Sequence, residues 1–360
     1  MKRKKFYTNI IYHLVQLWQT ENSLLTVMLL ILILLFGNSF VTAQSKTGTT
    51  IGQFLKIEPS SRAVALGNAG VSLSGEASYI FYNPASLGRL SGTDVQFTYN
   101  KWLADIMYNY AAAAMNIENI GTFSLVITSL NSGEIDVRTV EKPLGTGEKY
   151  SVTNFALGLG YGTMLTDRVS VGVQVNYINE SIWNSSLNVF GLNFGVQYQL
   201  MAGGFTIGAS VSNFGTRAKY DGRDLFVNYD FDPKKYGDNS KLPAELRTDE
   251  YSLPTIFRAG LSYPINFGTS YKLLLALDAV NPNDNRQSLN VGGELDLMNM
   301  ISIRAGYRNL FLVDSEGGLV LGGGIKTEIA GSFKIRFDYA YADYGRLAET
   351  HRITIGVGIK

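Results

Sequence analysis

The stretch "VSVGVQVNY", Val169–Tyr177, decides the fold. Val169, Val171, Val173, Val175 and Tyr177 fall on one side of an extended chain, and Ser170, Gly172, Gln174 and Asn176 on the other. The pattern returns in "LNFGVQYQL" (Leu192–Leu200), "ISIRAGYR" (Ile301–Arg308), "FKIRFDY" (Phe333–Tyr339) and "ITIGVGIK" (Ile353–Lys360). Mid-segment charges identify the two faces. Arg258, Lys272, Asp278, Glu294, Asp296, Arg304, Arg308, Lys326, Lys334, Arg336, Asp338 and Arg352 all take the polar parity of their segment. A basic side chain on the outside of a lipid-embedded barrel costs about 2–4 kcal/mol near the bilayer centre, so one parity must be free of charge. Here one is. The reading is all-β: a transmembrane antiparallel up-and-down β-barrel over residues 93–360, its lumen lined by charges that include Arg258, Glu294, Asp296, Arg304, Arg308, Lys334, Arg336 and Asp338.

A soluble sandwich also alternates, but it buries the apolar face. These segments are too many and too regular for one sandwich. Aromatics near segment ends (Tyr99, Tyr108, Tyr110, Tyr161, Tyr177, Tyr198, Tyr263, Tyr307, Tyr339) suit interfacial girdles on the lipid face. Sixteen segments carry the pattern. The weakest, 134–141 and 218–229, read equally as loop extensions, which leaves fourteen. Turns alternate in length. "LTDR" (Leu165–Arg168), "MAGG" (Met201–Gly204) and "MNM" (Met298–Met300) are short and periplasmic, whereas Asp221–Ser252 is a long extracellular loop.

The chain begins with a basic cluster (Lys2, Arg3, Lys4, Lys5), then an apolar run Leu24–Phe36, then "VTAQ" (Val41–Gln44). This predicts a signal peptide over 1–43, cut after Ala43, and localisation to the bacterial outer membrane. The apolar run is shorter than the roughly 20 residues of a spanning helix. The long n-region leaves the start codon open. With no Cys among 360 residues, disulfides and a lipid-anchored cysteine are ruled out. The 31 basic and 30 acidic residues give no electrostatic case for nucleic acid.

Residues 44–92 break the alternation. "SRAVALGNAGVSLSGEASYIFYNPASLGRL" is rich in small residues, with a short helix expected around Arg62–Asn68 and a turn at Asn83-Pro84. Tyr79, Phe81 and Tyr82 are too apolar for the periplasm. They are expected inside the barrel as a plug, packed on lumen glycines such as Gly158, Gly160 and Gly162.

This run resembles the N-terminal signature of the FadL-like outer-membrane barrels, in which small residues lead into an Asn-Pro-Ala motif, here Asn83-Pro84-Ala85. "VQFTYNKWLADIMYNYAAAA" (Val95–Ala114), "GTFSLVITSLNSGEIDVRT" (Gly121–Thr139), "PLGTGEKYSVTNFALGLGYG" (Pro143–Gly162) and "LTDRVSVGVQVNYINESIW" (Leu165–Trp183) look like the PorV/PorQ branch. The resemblance implies about 14 strands around an N-terminal plug and a role in type IX protein secretion. In that role the barrel would bind or shuttle secreted cargo with a C-terminal signal domain between the translocon and a PorU-like sortase. The alternative it leaves open is a channel for hydrophobic small molecules. One departure stands out: the chain ends in Lys360, where such barrels often end in an aromatic residue.

Catalysis has little to stand on. His351 is the only histidine after the leader, and it opens the last segment, so neither a general base nor a zinc site is expected, and no cofactor. Glu294 and Asp296 read as lumen charges paired with Arg304 or Arg308. "LGGGIK" (Leu321–Lys326) lacks the ending of a phosphate loop. Trp102, Trp183, Phe226, Tyr229 and Tyr236 are candidates for partner contact, because aromatic anchors dominate interfaces. The Asn83–Ala85 turn is read first as plug structure, and second as a control on access to the lumen.

Overall fold

The computed structural model describes residues 46–360 except 201–203, 231, 233, 235–241, 314, 330 and 360. The expected signal peptide and Tyr236 therefore lie outside the described residues. Fourteen antiparallel strands form the wall: β1 (Thr93–Lys101), β2 (Met107–Ile117), β3 (Gly121–Asn131), β4 (Val152–Met164), β5 (Val169–Ile182), β6 (Ser185–Gln199), β7 (Thr206–Gly215), β8 (Ile256–Phe267), β9 (Tyr271–Pro282), β10 (Ser288–Leu297), β11 (Ile301–Leu310), β12 (Leu319–Ile329), β13 (Phe333–Asp343) and β14 (Glu349–Ile359). Each pairs with its sequence neighbour, and β14 returns to β1 with Thr93 opposite Ile359 and Lys101 opposite His351. Closure leaves no open edge, which hydrocarbon would not tolerate.

The strand count settles at fourteen. In 134–141 only Ile135–Asp136 is extended, paired with Lys149–Tyr150 inside a loop. In 218–229, Phe226–Tyr229 pairs with Leu242–Glu245 in a small hairpin of the long loop. Both are loop extensions. The short turns share one end with Thr93 and Ile359, the inner end; the long loops crowd the outer end.

Side-chain parity follows the sequence in β5: Val173 and Val175 are over 40 % exposed, Gln174 and Asn176 under 10 %. In β2 it does not. Tyr108 and Tyr110 are buried and face the lumen, while Met107 and Met115 face outward. The two rings fill space beneath the N-terminal segment, and the Tyr108 hydroxyl donates to the Ile57 carbonyl at 3.0 Å. They are therefore not girdle residues.

Residues 46–92 run through the lumen from the outer end to the inner one. At the outer mouth Ile51 N donates to Ser252 O, and Thr50 Oγ1, Gln53 Nε2 and Lys56 Nζ converge on one oxygen of Asp284 at 2.8–3.0 Å. A short helix, α1 (Ser61–Ala65), is capped by the Ser60 hydroxyl. Val71 N then donates to Asp278. At the inner end Arg89 donates to Gln199 and to the Arg168 carbonyl. Lumen glycines let this backbone lie against the wall: a Cβ at Gly172 would sit 2.2 Å from Pro84 O.

Candidate functional site

Asn83-Pro84-Ala85 is structural in its geometry. Asn83 is extended and caps a 3₁₀ turn over Pro84–Arg89, its Oδ1 accepting from Ala85 N at 3.0 Å. Its amide donates outward to Val71 O and to Val196 O of β6. Ala85 is fully buried. The motif thus nails the plug to the wall. The plug meets Gly160 through Ile80 and Gly162 through Leu87, so the expected stacking of Tyr79, Phe81 and Tyr82 on those glycines is corrected. The three rings cluster with one another: Phe81 meets Tyr82 edge-on at 5.1 Å and Tyr79 lies 6.5 Å from Tyr82.

The inner half of the lumen is a charge lattice. Arg62 of α1 bonds Glu294 through Nε and Nη2 at 2.7 and 2.6 Å, and Glu76 at 2.7 Å. Arg304 joins Glu294 to Asp338. Arg336 bonds Asp94, which also accepts from Ala77 N. Asp296 takes Lys326 as its partner, not Arg304 or Arg308. Lys334 is half-buried beside this lattice. Burial alone would raise the Glu76 carboxyl, but Arg62, Arg336 and the bonds from Arg62 and Gln96 outweigh it and hold it down to about 2.

Above the lattice the lumen turns aromatic. Arg258 lies over the Phe81 ring at 5.6 Å and donates to Ser212. Arg308 lies over Tyr344 at 3.7 Å, and Arg352 over Trp102 at 5.9 Å. Trp102 packs edge-on against Tyr344 at 5.1 Å, so it points inward and is not a free partner contact. A cavity of about 30 Å³ remains, walled by Phe54, Leu55, Phe81, Tyr108, Tyr110 and Arg258 among others. That is room for about one water.

The larger hollow is outside. A cleft of about 690 Å³ opens between the outer loops, walled by Ile135, Val137, Tyr150, Ile182, Trp183 and Tyr220, with Asp136, Arg138 and Asp224 also lining it. Trp183 occupies the tight turn joining β5 to β6 at φ 52°, a left-handed conformation costly for a bulky residue. Two loops hold it there. Trp183 N donates to Ser151 O at 3.3 Å, and Asn184 donates to both oxygens of Asp224 at 2.9 and 3.1 Å. The Trp183 ring lies 5.9 Å from Tyr150 and stays 46 % exposed. Phe226 and Tyr229, also exposed, belong to the neighbouring hairpin. Of the proposed contact residues that are described, Trp183 alone lines the cleft. Tyr150 and Tyr220 carried no distinguishing signal, because their meeting depends on loop packing.

No family profile matches the sequence, and no characterised relative does either. Solved structures do match. The toluene transporter TbuX of Ralstonia pickettii aligns at TM-score 0.50 and 12 % identity, over 85 % of this chain and 98 % of its own. The monoaromatic hydrocarbon channel CymD aligns at 0.51 and 12 %, over 83 % and 96 %. The Pseudomonas putida toluene transporter TodX aligns at 0.51 and 12 %, over 82 % and 95 %. The shared feature is the fold. It is a closed barrel of antiparallel strands, and each of these matches is described as a transporter or channel.

Proposed function

We propose that this chain is a FadL-like outer-membrane barrel that takes small apolar molecules at its outer face. The outer cleft carries the reading: it has the volume and the mainly apolar, aromatic lining of a small-molecule site, with a few polar groups along its wall. The fold neighbours, named for toluene and monoaromatic hydrocarbons, support it over the secretion role that the sequence put first. Toluene titrated into the detergent-purified protein should quench tryptophan fluorescence saturably, and Trp183→Ala should abolish the saturable part. A linear, non-saturating response in both would defeat the proposal.

One observation favours the second reading, a PorV/PorQ-type component of type IX secretion that hands cargo to a PorU-like sortase. Beneath the cleft the lumen is filled by the plug, and the cavity there is about 30 Å³, too small for a monoaromatic to pass. A shuttle needs no such path. Capture of secreted cargo with the tagged protein in mild detergent, without saturable toluene binding, would move the assignment to secretion.

A further inference from the structure

The walls of the outer cleft carry charge as well as rings. Two carboxylates, Asp136 and Asp224, line it against one guanidinium, Arg138. Their bonds leave these acids charged. Asp224 accepts from the backbone and side-chain amides of Asn184, which are neutral donors. Asp136 lies opposite Lys149 in the loop ladder, but the Lys149 ammonium bonds Glu134 at 2.6 Å. A third carboxylate stands behind the wall: the Tyr220 hydroxyl donates to Glu180 at 3.2 Å, and Glu180 is buried. A phenol polarised by a carboxylate has a more electron-rich ring, whose face attracts a cation more strongly. In the lumen the barrel sets its own arginines over rings: Arg62 over Tyr79, Arg258 over Phe81, Arg308 over Tyr344 and Arg352 over Trp102. Among the described residues, no lysine or arginine is placed in this way over Tyr150, Trp183 or Tyr220 of the cleft.

We propose, resting on the reading of the outer cleft as a small-molecule site, that its preferred ligand is an organic cation: an apolar or aromatic body bearing a quaternary ammonium group. Ring faces attract positive charge through their quadrupole, and aromatic walls are a recurrent means of holding quaternary ammonium. Such a group has no N–H to satisfy, which suits walls made mainly of rings and aliphatic side chains. A neutral hydrocarbon of the same shape gains the apolar contact without the attraction of the carboxylates. An organic anion is opposed by Asp136 and Asp224 and attracted by Arg138 alone of the lining groups. The turn that carries Trp183 is already held by the Asn184–Asp224 bonds, so binding has little of it left to order.

The test uses the whole barrel in detergent at pH 7, with binding read by tryptophan fluorescence and each affinity corrected for partition into micelles. The probes differ in charge on a common phenyl body: phenyltrimethylammonium, its neutral isostere tert-butylbenzene, and the anion benzenesulfonate. The cation should bind about fivefold more tightly than the isostere, the scale of a ring–cation contact at a partly exposed site, and benzenesulfonate should bind most weakly. Raising sodium chloride from about 50 to about 500 mM should narrow the gap between cation and isostere. Asp136→Asn should lower the cation-to-isostere ratio about twofold, and Arg138→Gln should raise it. Both residues are exposed in a loop, so neither substitution threatens the barrel. A ratio near one, or a ratio that neither substitution moves, would overturn the preference and leave the cleft an apolar site. No saturable response to any of the three probes would remove the cleft as a small-molecule site, and the preference with it.

Discussion

Arg304 and Arg352 both project into the lumen of the same barrel and both are buried, yet their surroundings differ. Arg304 bonds Glu294 and Asp338, and Glu294 in turn holds Arg62 of the plug. Arg352 has an indole face and, among the described residues, no acceptor. The inner lumen pairs each of its lattice arginines with a carboxylate, whereas among the described residues Arg258, Arg308 and Arg352 of the outer lumen have none. Completed networks fix a plug in place, whereas incomplete ones have capacity for something else. The contrast assigns stability to the inner half and recognition to the outer half.

The sharpest way to break that contrast is Arg62→Ala. It leaves Glu76 and Glu294 buried without their shared cation, a class of change that costs about 3–5 kcal/mol. The expected result is a large fall in unfolding temperature and a leaky barrel in planar-bilayer recordings. Adding Glu76→Gln should recover part of the loss, since Glu294 keeps Arg304 whereas Glu76 loses the one cation it is bonded to among the described residues. If Arg62→Ala were silent, the lattice would not be what seats the plug.

Acid probes the same lattice more gently. The Glu76 carboxyl titrates at about 2 in the folded chain against an ordinary 4.5. Because the folded value is the lower one, its contribution is fully present above pH 4.5 and is lost as pH falls through about 2. Conductance should therefore rise as pH falls from 4.5 towards 2, and Glu76→Gln should flatten this response. An identical pH profile in the variant would place the acid-sensitive group elsewhere.

How far the sequence reaches follows the same division. Val173 against Gln174 is a contrast strong enough to assign a face, and it does. In β2 the run from Tyr108 to Ala114 has alanine on both parities and tyrosines that suit either lipid or lumen, so periodicity cannot tell inside from outside. The lattice was legible only as unpaired charges: Arg62 and Glu294 are 232 residues apart, and nothing local marks them as partners. The cleft was half-visible. Trp183 stood out as an aromatic in a turn, but Ile135, Tyr150 and Tyr220 reach it only because Asp224 clasps Asn184 across two loops.

The smallest effect concerns that turn. Trp183 sits at φ 52°, and for any residue with a Cβ the left-handed region costs about 1–2 kcal/mol. Trp183→Ala keeps the strain and removes the ring; Trp183→Gly removes both. The glycine variant should be the more stable of the two by about 1 kcal/mol, after allowing for the extra freedom glycine gains when unfolded. Both should lose saturable toluene quenching equally. A glycine variant no more stable than the alanine one would mean that the turn stores no strain. Trp183 would then be an exposed ring, with no backbone cost to show that the fold holds it in place for binding.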